Sequence, residues 1–182
     1  MPEKLVLTSS RLILRPFELR DAPAFARYRS DPEVARYQSW EPPYTLAQAE
    51  RFVAEMQSIT PGLPGAWYQL ALEERQSGAM IGDCAFVRLA DDPCQAEIGF
   101  SLDRAYQGQG YATEAVRRLL AYLFHELGLH RVRANCDPEN QASARVLLRA
   151  GMRLEGVFVE SLWFKGRWVG EEWYAILKRE MN

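Results

Sequence analysis

Cysteine and histidine are scarce: Cys84, Cys94 and Cys136 are the only thiols, and His125 and His130 the only imidazoles, in 182 residues. No CxxC pair exists and the histidines stand in no ligand-like cluster, which argues against a disulfide framework or a structural zinc site, so no metal is expected. An excess of charge of one sign is also missing. Lys+Arg number 22 against 24 Asp+Glu, a net charge of −2 with a pI near 5.8. The wide basic field of a nucleic-acid binder is therefore absent, and no nucleic-acid partner is expected. No run of about 18 apolar residues occurs, and Met1-Pro2-Glu3-Lys4-Leu5 lacks the apolar core of a secretory signal. No membrane partner is expected, and the default location is the reducing cytoplasm. Without internal repeats, low-complexity tracts or a Gly/Ser linker, the chain reads as a single domain, 1–182.

What is present is an average globular composition, 48% hydrophobic and 25% charged, in a chain long enough to build a core unaided. Leu12-Ile13-Leu14 reads as a strand stopped at Arg15-Pro16. Asp21 is an N-cap candidate for a helix to about Ser30, with Pro23 in its first turn. Thr45 and Gln48 have the spacing of a capping box, and beyond them Ala49, Phe52, Val53, Met56 and Ile59 share one helical face. Thr60-Pro61-Gly62 ends that helix. Three strand-like runs follow, Trp67–Leu72, Met80–Leu89 and Gln95–Leu102, separated by turn signals at Gln76-Ser77-Gly78 and Asp91-Asp92-Pro93, an antiparallel meander. A long helix then carries Ala112, Ala115, Val116, Leu119, Leu120, Leu123 and Leu127 on one stripe, with Arg117, Arg118, Tyr122 and His125 across from it, up to Gly128. Arg131–Cys136 is a strand and Asn140–Ala150 a helix closed by Gly151. Strands Leu154–Phe164 and Arg167–Lys178 meet in a hairpin at Lys165-Gly166. The expected fold is α/β (α+β), a mixed, mostly antiparallel sheet of about seven strands with helices on both faces.

The most informative segment is the small-residue turn Gln107-Gly108-Gln109-Gly110 between a strand and a helix. A helix start leaves several backbone N–H groups unpaired, and the helix dipole makes that end positive. Glycines let a ligand oxygen approach without a Cβ in the way. The combination suits a phosphate or pyrophosphate. A P-loop would need a Lys after the glycines, and none follows. A dinucleotide fingerprint would need Gly or Ala where Thr113 stands, and an acidic residue on the next strand, which carries Arg131 and Arg133.

Gln107-x-x-Gly110-x-Ala112, after a strand and opening a helix, resembles the acyl-CoA pyrophosphate signature of the GNAT superfamily of N-acetyltransferases. Further on, Asn140-x-x-Ser143-x-x-x-Leu147, followed by Gly151 and Met152, resembles the second motif of that family. Glu97–Leu102 is similar to its pantetheine strand. Leu12–Pro16, Tyr37–Tyr44 and Trp173–Leu177 are similar to the branch of ribosomal-protein N-terminal acetyltransferases. Two departures stand out: Gln107 where Arg is also common, and Met152 in place of an aromatic.

The resemblance implies attack of an amine on the thioester of acetyl-CoA, with no covalent enzyme intermediate. It implies that Gln107, Gly108, Gln109, Gly110, Tyr111, Ala112 and Thr113 hold the diphosphate. Phe100, Ser101 and Leu102 would face the pantetheine and thioester, and Asn140 and Ser143 the arm and the sulfur. Such a reaction needs a neutral amine, donors for the oxyanion and a proton for the thiolate. A lysine-like amine of pKa about 10.4 is neutral in only about one molecule in 2,500 at pH 7, whereas an α-amine near 8 is neutral in roughly a tenth. An α-amine thus demands about 3 kcal/mol less of a general base. Glu97 is the candidate base, directly or through a water; its plainer reading is a solvated strand carboxylate. Ser143 is the candidate donor to the leaving thiolate and Tyr174 a second candidate acid, or simply a packed aromatic.

Arg145 and Arg149 either meet the 3′-phosphate of CoA or form a solvated helix face. Cys136 has no partner for nucleophilic chemistry and reads as a structural thiol. Trp40, Tyr44, Trp67 and Trp163 are read first as core and second as pocket wall. Glu41 either attracts a cationic acceptor or is an ordinary loop carboxylate. The expected acceptor is a primary amine, on a protein N-terminus or a small molecule, and family analogy implies a homodimer. The alternative from another class is a non-catalytic acyl-CoA-binding module, which free-thiol release with a panel of amines discriminates.

Overall fold

The computed structural model describes residues 5–181; Met1–Pro2–Glu3–Lys4, part of the stretch read above as lacking a signal core, lies outside the described residues. Among the described residues, one open sheet contains eight strands. In chain order they are β1 (Leu7–Thr8), β2 (Leu12–Pro16), β3 (Tyr68–Glu74), β4 (Met80–Arg88), β5 (Gln95–Leu102), β6 (Arg131–Cys136), β7 (Arg153–Phe164) and β8 (Arg167–Leu177). Their spatial order is β1-β2-β3-β4-β5-β6-β8-β7. The helices are α1 (Ala22–Arg29), α2 (Pro32–Ala35), α3 (Leu46–Ser58), α4 (Tyr111–Ala121) and α5 (Gln141–Arg149).

The meander β3-β4-β5 is antiparallel as expected, and β2 extends it by pairing antiparallel with β3. Between β5 and β6 the pairing is parallel, and it holds for only three pairs, Gln95–Glu97 against Arg131–Arg133. From Ile98 onward the flank of β5 that faces away from β4 has no strand partner among the described residues, while β6 continues against β8. The sheet therefore opens into a wedge.

Each face carries its own core. On one, Leu119 and Leu120 of α4 and Leu147 of α5 are buried against Phe86, Ile98 and Val132. On the other, Phe25 of α1 and Val53 of α3 are buried against Phe17, Ala71 and Met80. Each such large side chain contributes about 1.5–3 kcal/mol through apolar burial. The capping box at α3 forms as its spacing predicts: Thr45 Oγ1 accepts from Gln48 N at 3.2 Å, and Gln48 Oε1 from Thr45 N at 2.7 Å.

Several expectations need correction. The seven strands read from the sequence are all present, and what the reading lacked is the two-residue β1, too short to leave a pattern in the sequence. Asp21 precedes α1 but does not cap it; its buried carboxylate receives Arg15 Nη1 and Nη2, both at 2.8 Å, and Glu18 N at 2.7 Å. The long helix widens after Ala121 into a π turn over Tyr122–Glu126, where Leu127 N donates to Tyr122 O. Tyr122 and Phe124 are both buried there; Tyr122, three residues after Leu119 and seven after Ala115, falls beside those buried residues and does not share the polar side with Arg117 and His125. Trp67 and Trp163, read first as core, are 45% and 59% exposed.

Candidate active site

The helices of this fold treat their N-termini differently. Thr45 caps α3 and Asn140 caps α5 with their side chains. At α4 the cap is Gly110, left-handed at φ 84°, and no side chain meets the first amides. Gly108 is left-handed as well, at φ 75°, and a Cβ placed there would meet nothing within 4 Å. The sequence supplies this by putting glycine where α3 and α5 carry Thr and Asn. The result is a set of unpaired N–H groups at the positive end of a helix dipole, beside open space.

The turn is held from behind by residues that no local pattern marks. Glu114 accepts from Ser9 Oγ (2.8 Å), Ser10 Oγ (2.9 Å), Arg11 N (2.8 Å) and Arg11 Nε (2.7 Å). Against the desolvation it suffers, these donors bring its carboxyl down to about 2. Arg11 Nη1 also donates to Gln109 O at 3.0 Å, and its guanidinium lies 4.3 Å over the Tyr111 ring. The partners lie about a hundred positions apart, so only the fold brings them together.

In front of the turn lies a cavity of about 500 Å³, at the open side of the β5/β6 wedge. It is bordered by Phe100, Ser101 and Leu102 of β5, by Gln107, Gly108, Gly110, Tyr111, Ala112 and Thr113 of the turn, and by Asn140 and Ser143 of α5. Eleven of the fourteen residues singled out from the sequence thus meet in one place. Asn140 Oδ1 accepts from Ser143 N at 3.2 Å, the N-cap bond, while the Ser143 hydroxyl has no hydrogen-bond partner among the described residues. Gln107 Nε2 donates to Leu102 O at 3.0 Å and so ties the turn to the strand. Arg104, Arg145 and Arg149 also border the cavity, a local cationic field in a chain of net negative charge. Glu33, Val34, Tyr37 and Gln38, on and just after α2, and Ala142 and Val146 of α5 form its remaining wall.

Three predicted residues stand outside this cavity. Gln109 faces away, its Nε2 donating to Ala105 O at 3.1 Å. Glu97 is the last β5 residue before the wedge opens; Arg133 Nε donates to its Oε2 at 3.1 Å, and that guanidinium lies 4.8 Å from the Trp173 ring. Tyr174 is buried on β8 and donates its hydroxyl to Glu172 Oε2 at 2.6 Å; burial pushes its phenol above the ordinary range. Neighbouring Cys136 is pushed up to about 12, chiefly by burial, which keeps it a thiol and agrees with a structural role.

Sequence reasoning also missed an acid. Asp83, 2% exposed on β4, receives the Tyr28 hydroxyl and Gln69 Nε2 (2.5 Å), and burial raises its carboxyl. It pairs in register with Ser101, on the strand that borders the cavity. A carboxylate inside the apolar run of β4 was the available signal. Nearby Arg29 is held between the rings of Phe25 and Trp40, at 4.0 and 3.8 Å, so Trp40 and Tyr44 enclose a buried cation.

Comparison with known proteins agrees with this geometry. Residues 11–153 match the model of the acetyltransferase (GNAT) domain. The chain belongs to the GNAT family of acetyltransferases. YnaD of Bacillus subtilis, described as an uncharacterized N-acetyltransferase, is 36% identical over 97% of this chain and 99% of its own. The ribosomal protein uS5-alanine N-acetyltransferase of Escherichia coli is 27% identical over 91% of this chain and 87% of its own. The crystal structure of a GNAT-family acetyltransferase from Bacillus anthracis superimposes with a TM-score of 0.85 at 32% identity, covering 97% of this chain and all of that one. Spermidine N-acetyltransferase of Vibrio cholerae, solved with CoA and spermine, shares the fold at a TM-score of 0.80 and 22% identity over 95% of this chain and 99% of its own. This GNAT protein has no helix long and apolar enough to cross a membrane among its described residues.

Proposed function

We propose that this protein, as one domain over 1–182, transfers the acetyl group of acetyl-CoA to a primary amine by direct attack on the thioester. One juxtaposition carries the reading: the uncapped amides of Gly110–Thr113 and the free hydroxyl of Ser143 border the same cavity, at the wedge between β5 and β6. The residues fit the co-substrate. Amides at a helix start and open space at Gly108 suit a diphosphate, Arg145 or Arg149 suits the 3′-phosphate, and the unpaired flank of β5 suits an amide-bearing arm. Acetyl-CoA supplies the activated acyl group and a thiolate leaving group.

The chain's own groups then divide the work. Main-chain donors near Phe100 and Leu102 hold the thioester oxygen as negative charge develops. Ser143 donates a hydrogen bond to the departing sulfur. Glu97, whose Oε1 is not engaged by Arg133, accepts the amine's proton through a water. Tyr174 is the second acid, available only once its bond to Glu172 breaks. The acceptor wall carries a single carboxylate, Glu33, beside Tyr37 and Gln38. One negative charge suits a single ammonium, and an α-amine loses its proton readily near neutral pH. Both considerations, with the uS5-alanine relative, favour a protein N-terminus over a polyamine.

We place the enzyme in the cytoplasm as a homodimer joined through the β7–β8 hairpin. Val157, Phe158, Val159, Leu162, Trp163 and Trp168 are all exposed there.

The test has two arms. Acetyl-CoA at about a hundred times its dissociation constant stabilises a specific site by about 2.7 kcal/mol, read as a rise in melting temperature. Free-thiol release is then followed with alanine-initiated peptides, spermidine and an aminoglycoside. No thermal shift sinks the cofactor assignment; a shift without thiol release from any amine returns the chain to the non-catalytic class.

A further inference from the structure

Lys165 occupies the turn between β7 and β8, in a left-handed conformation at φ 47°. Its ammonium donates to Ala35 O at 2.9 Å and Trp40 O at 2.8 Å, and lies 3.3 Å from Glu41 Oε1. Two of the ammonium's three donors are thus given to carbonyls of one segment of chain, and the carboxylate at ion-pair distance belongs to the same segment. That segment is the wall of the acceptor end: Ala35 closes α2, and Glu33, Tyr37 and Gln38 on either side of it border the cavity.

A helix of four residues cannot hold itself in place. Asp31 caps its start and Trp40 Nε1 donates to Arg29 O at 3.0 Å, but the carbonyls at its end are oriented from the opposite end of the sheet, by Lys165. Arg36 and Arg167 both reach Glu139, at 3.6 and 3.1 Å, yet these three side chains are half exposed and such pairs contribute little. Lys165 is only 23% exposed and is the stronger tie.

We infer that Lys165 is a specificity-determining positioning residue: it latches α2 and residues 36–41 to the β7–β8 turn and thereby sets the width of the amine entrance, without taking part in acetyl-CoA binding. The inference rests on the cavity being the acetyl-transfer site. Lys165→Met keeps the aliphatic stem and removes the donors, while Lys165→Arg keeps cationic donors at the same place. Both are compared with the wild-type full chain, using an alanine-initiated hexapeptide and spermidine as acceptors. For Lys165→Met the KM of the acetylated acceptor rises about tenfold, while kcat and the acetyl-CoA dissociation constant stay within about twofold. Lys165→Arg recovers most of the loss, and hydrogen exchange speeds up at residues 35–41 but not along α4. Unchanged acceptor KM, or an equal loss of acetyl-CoA affinity, overturns the latch. If the wild-type protein acetylates neither probe, the transfer reading is what fails; the exchange measurement then decides the latch alone, and unaltered protection of residues 35–41 overturns it.

Discussion

Two serines and a carboxylate show how little a residue type says until its neighbours are known. Ser143 and Ser101 both border the cavity, but Ser143 follows the N-cap Asn140 and keeps its hydroxyl free, whereas Ser101 stands on β5 opposite buried Asp83. Only the first is placed at the end of a helix where a soft, negative sulfur would gain from a donor. Ser143→Ala removes that donor and nothing else, so kcat falls by about 10- to 100-fold while acetyl-CoA affinity, measured by calorimetry, stays near the wild-type value. An unaltered kcat would strip Ser143 of its role and leave Tyr174 as the acid. Glu97 is a different case, since its ion pair with Arg133 serves equally to close the three parallel pairs of β5 and β6.

Among the elements, α4 and the segment before β2 act as one unit. Four hydrogen bonds converge on Glu114 and bring its carboxyl from 4.5 to about 2 in the folded state. A depressed carboxylate stabilises the fold above its unfolded value and loses that contribution as pH falls through its folded one. The tie is therefore complete above about pH 4.5 and vanishes toward pH 2, a difference on the order of 2–3 kcal/mol. Glu114→Gln removes this contribution and flattens the acid limb of the melting-temperature profile between those pH values. Because the same tie fixes Gly110 and the carbonyl of Gln109, the variant also weakens acetyl-CoA binding. A variant whose acid limb matches the wild type would show that the cluster is only decorative.

On the scale of the whole molecule, the sheet has one well-covered end and one bare end. β1 is two residues long, which leaves little edge, whereas β7 runs for twelve residues at the opposite edge with apolar side chains exposed on both faces. Long apolar edges are normally blunted by charge or covered. The bulge near Glu160, which is left-handed at φ 47°, interrupts the ladder to β8 and favours face packing of side chains over strand continuation in the proposed homodimer. Val159→Lys places a charge on the most exposed of these residues, at 84% exposure, and converts the dimer to a monomer in sedimentation at micromolar concentration. A wild-type chain that sediments as a monomer would remove the dimer from the proposal.

Most elements of this protein, and the two motifs that border its cavity, were readable from the chain alone, because each depends on a short-range rule. Strand-like runs between turn signals marked β3–β5, the Thr45–Gln48 spacing marked α3, and the glycines marked a helix start without a side-chain cap, all within a few residues of backbone. The same locality explains the failures: β1 is too short for a period, and the π turn after Ala121 changes the period itself. What only tertiary structure decided is every pairing across long separations. The wedge between β5 and β6 depends on where a parallel ladder stops, the buttress of Arg11 on Glu114 spans the sheet and a helix, and Lys165 meets Ala35 from 130 positions away. Such contacts follow from how the burial of two apolar faces stacks the elements, and no pattern of a few residues carries that information.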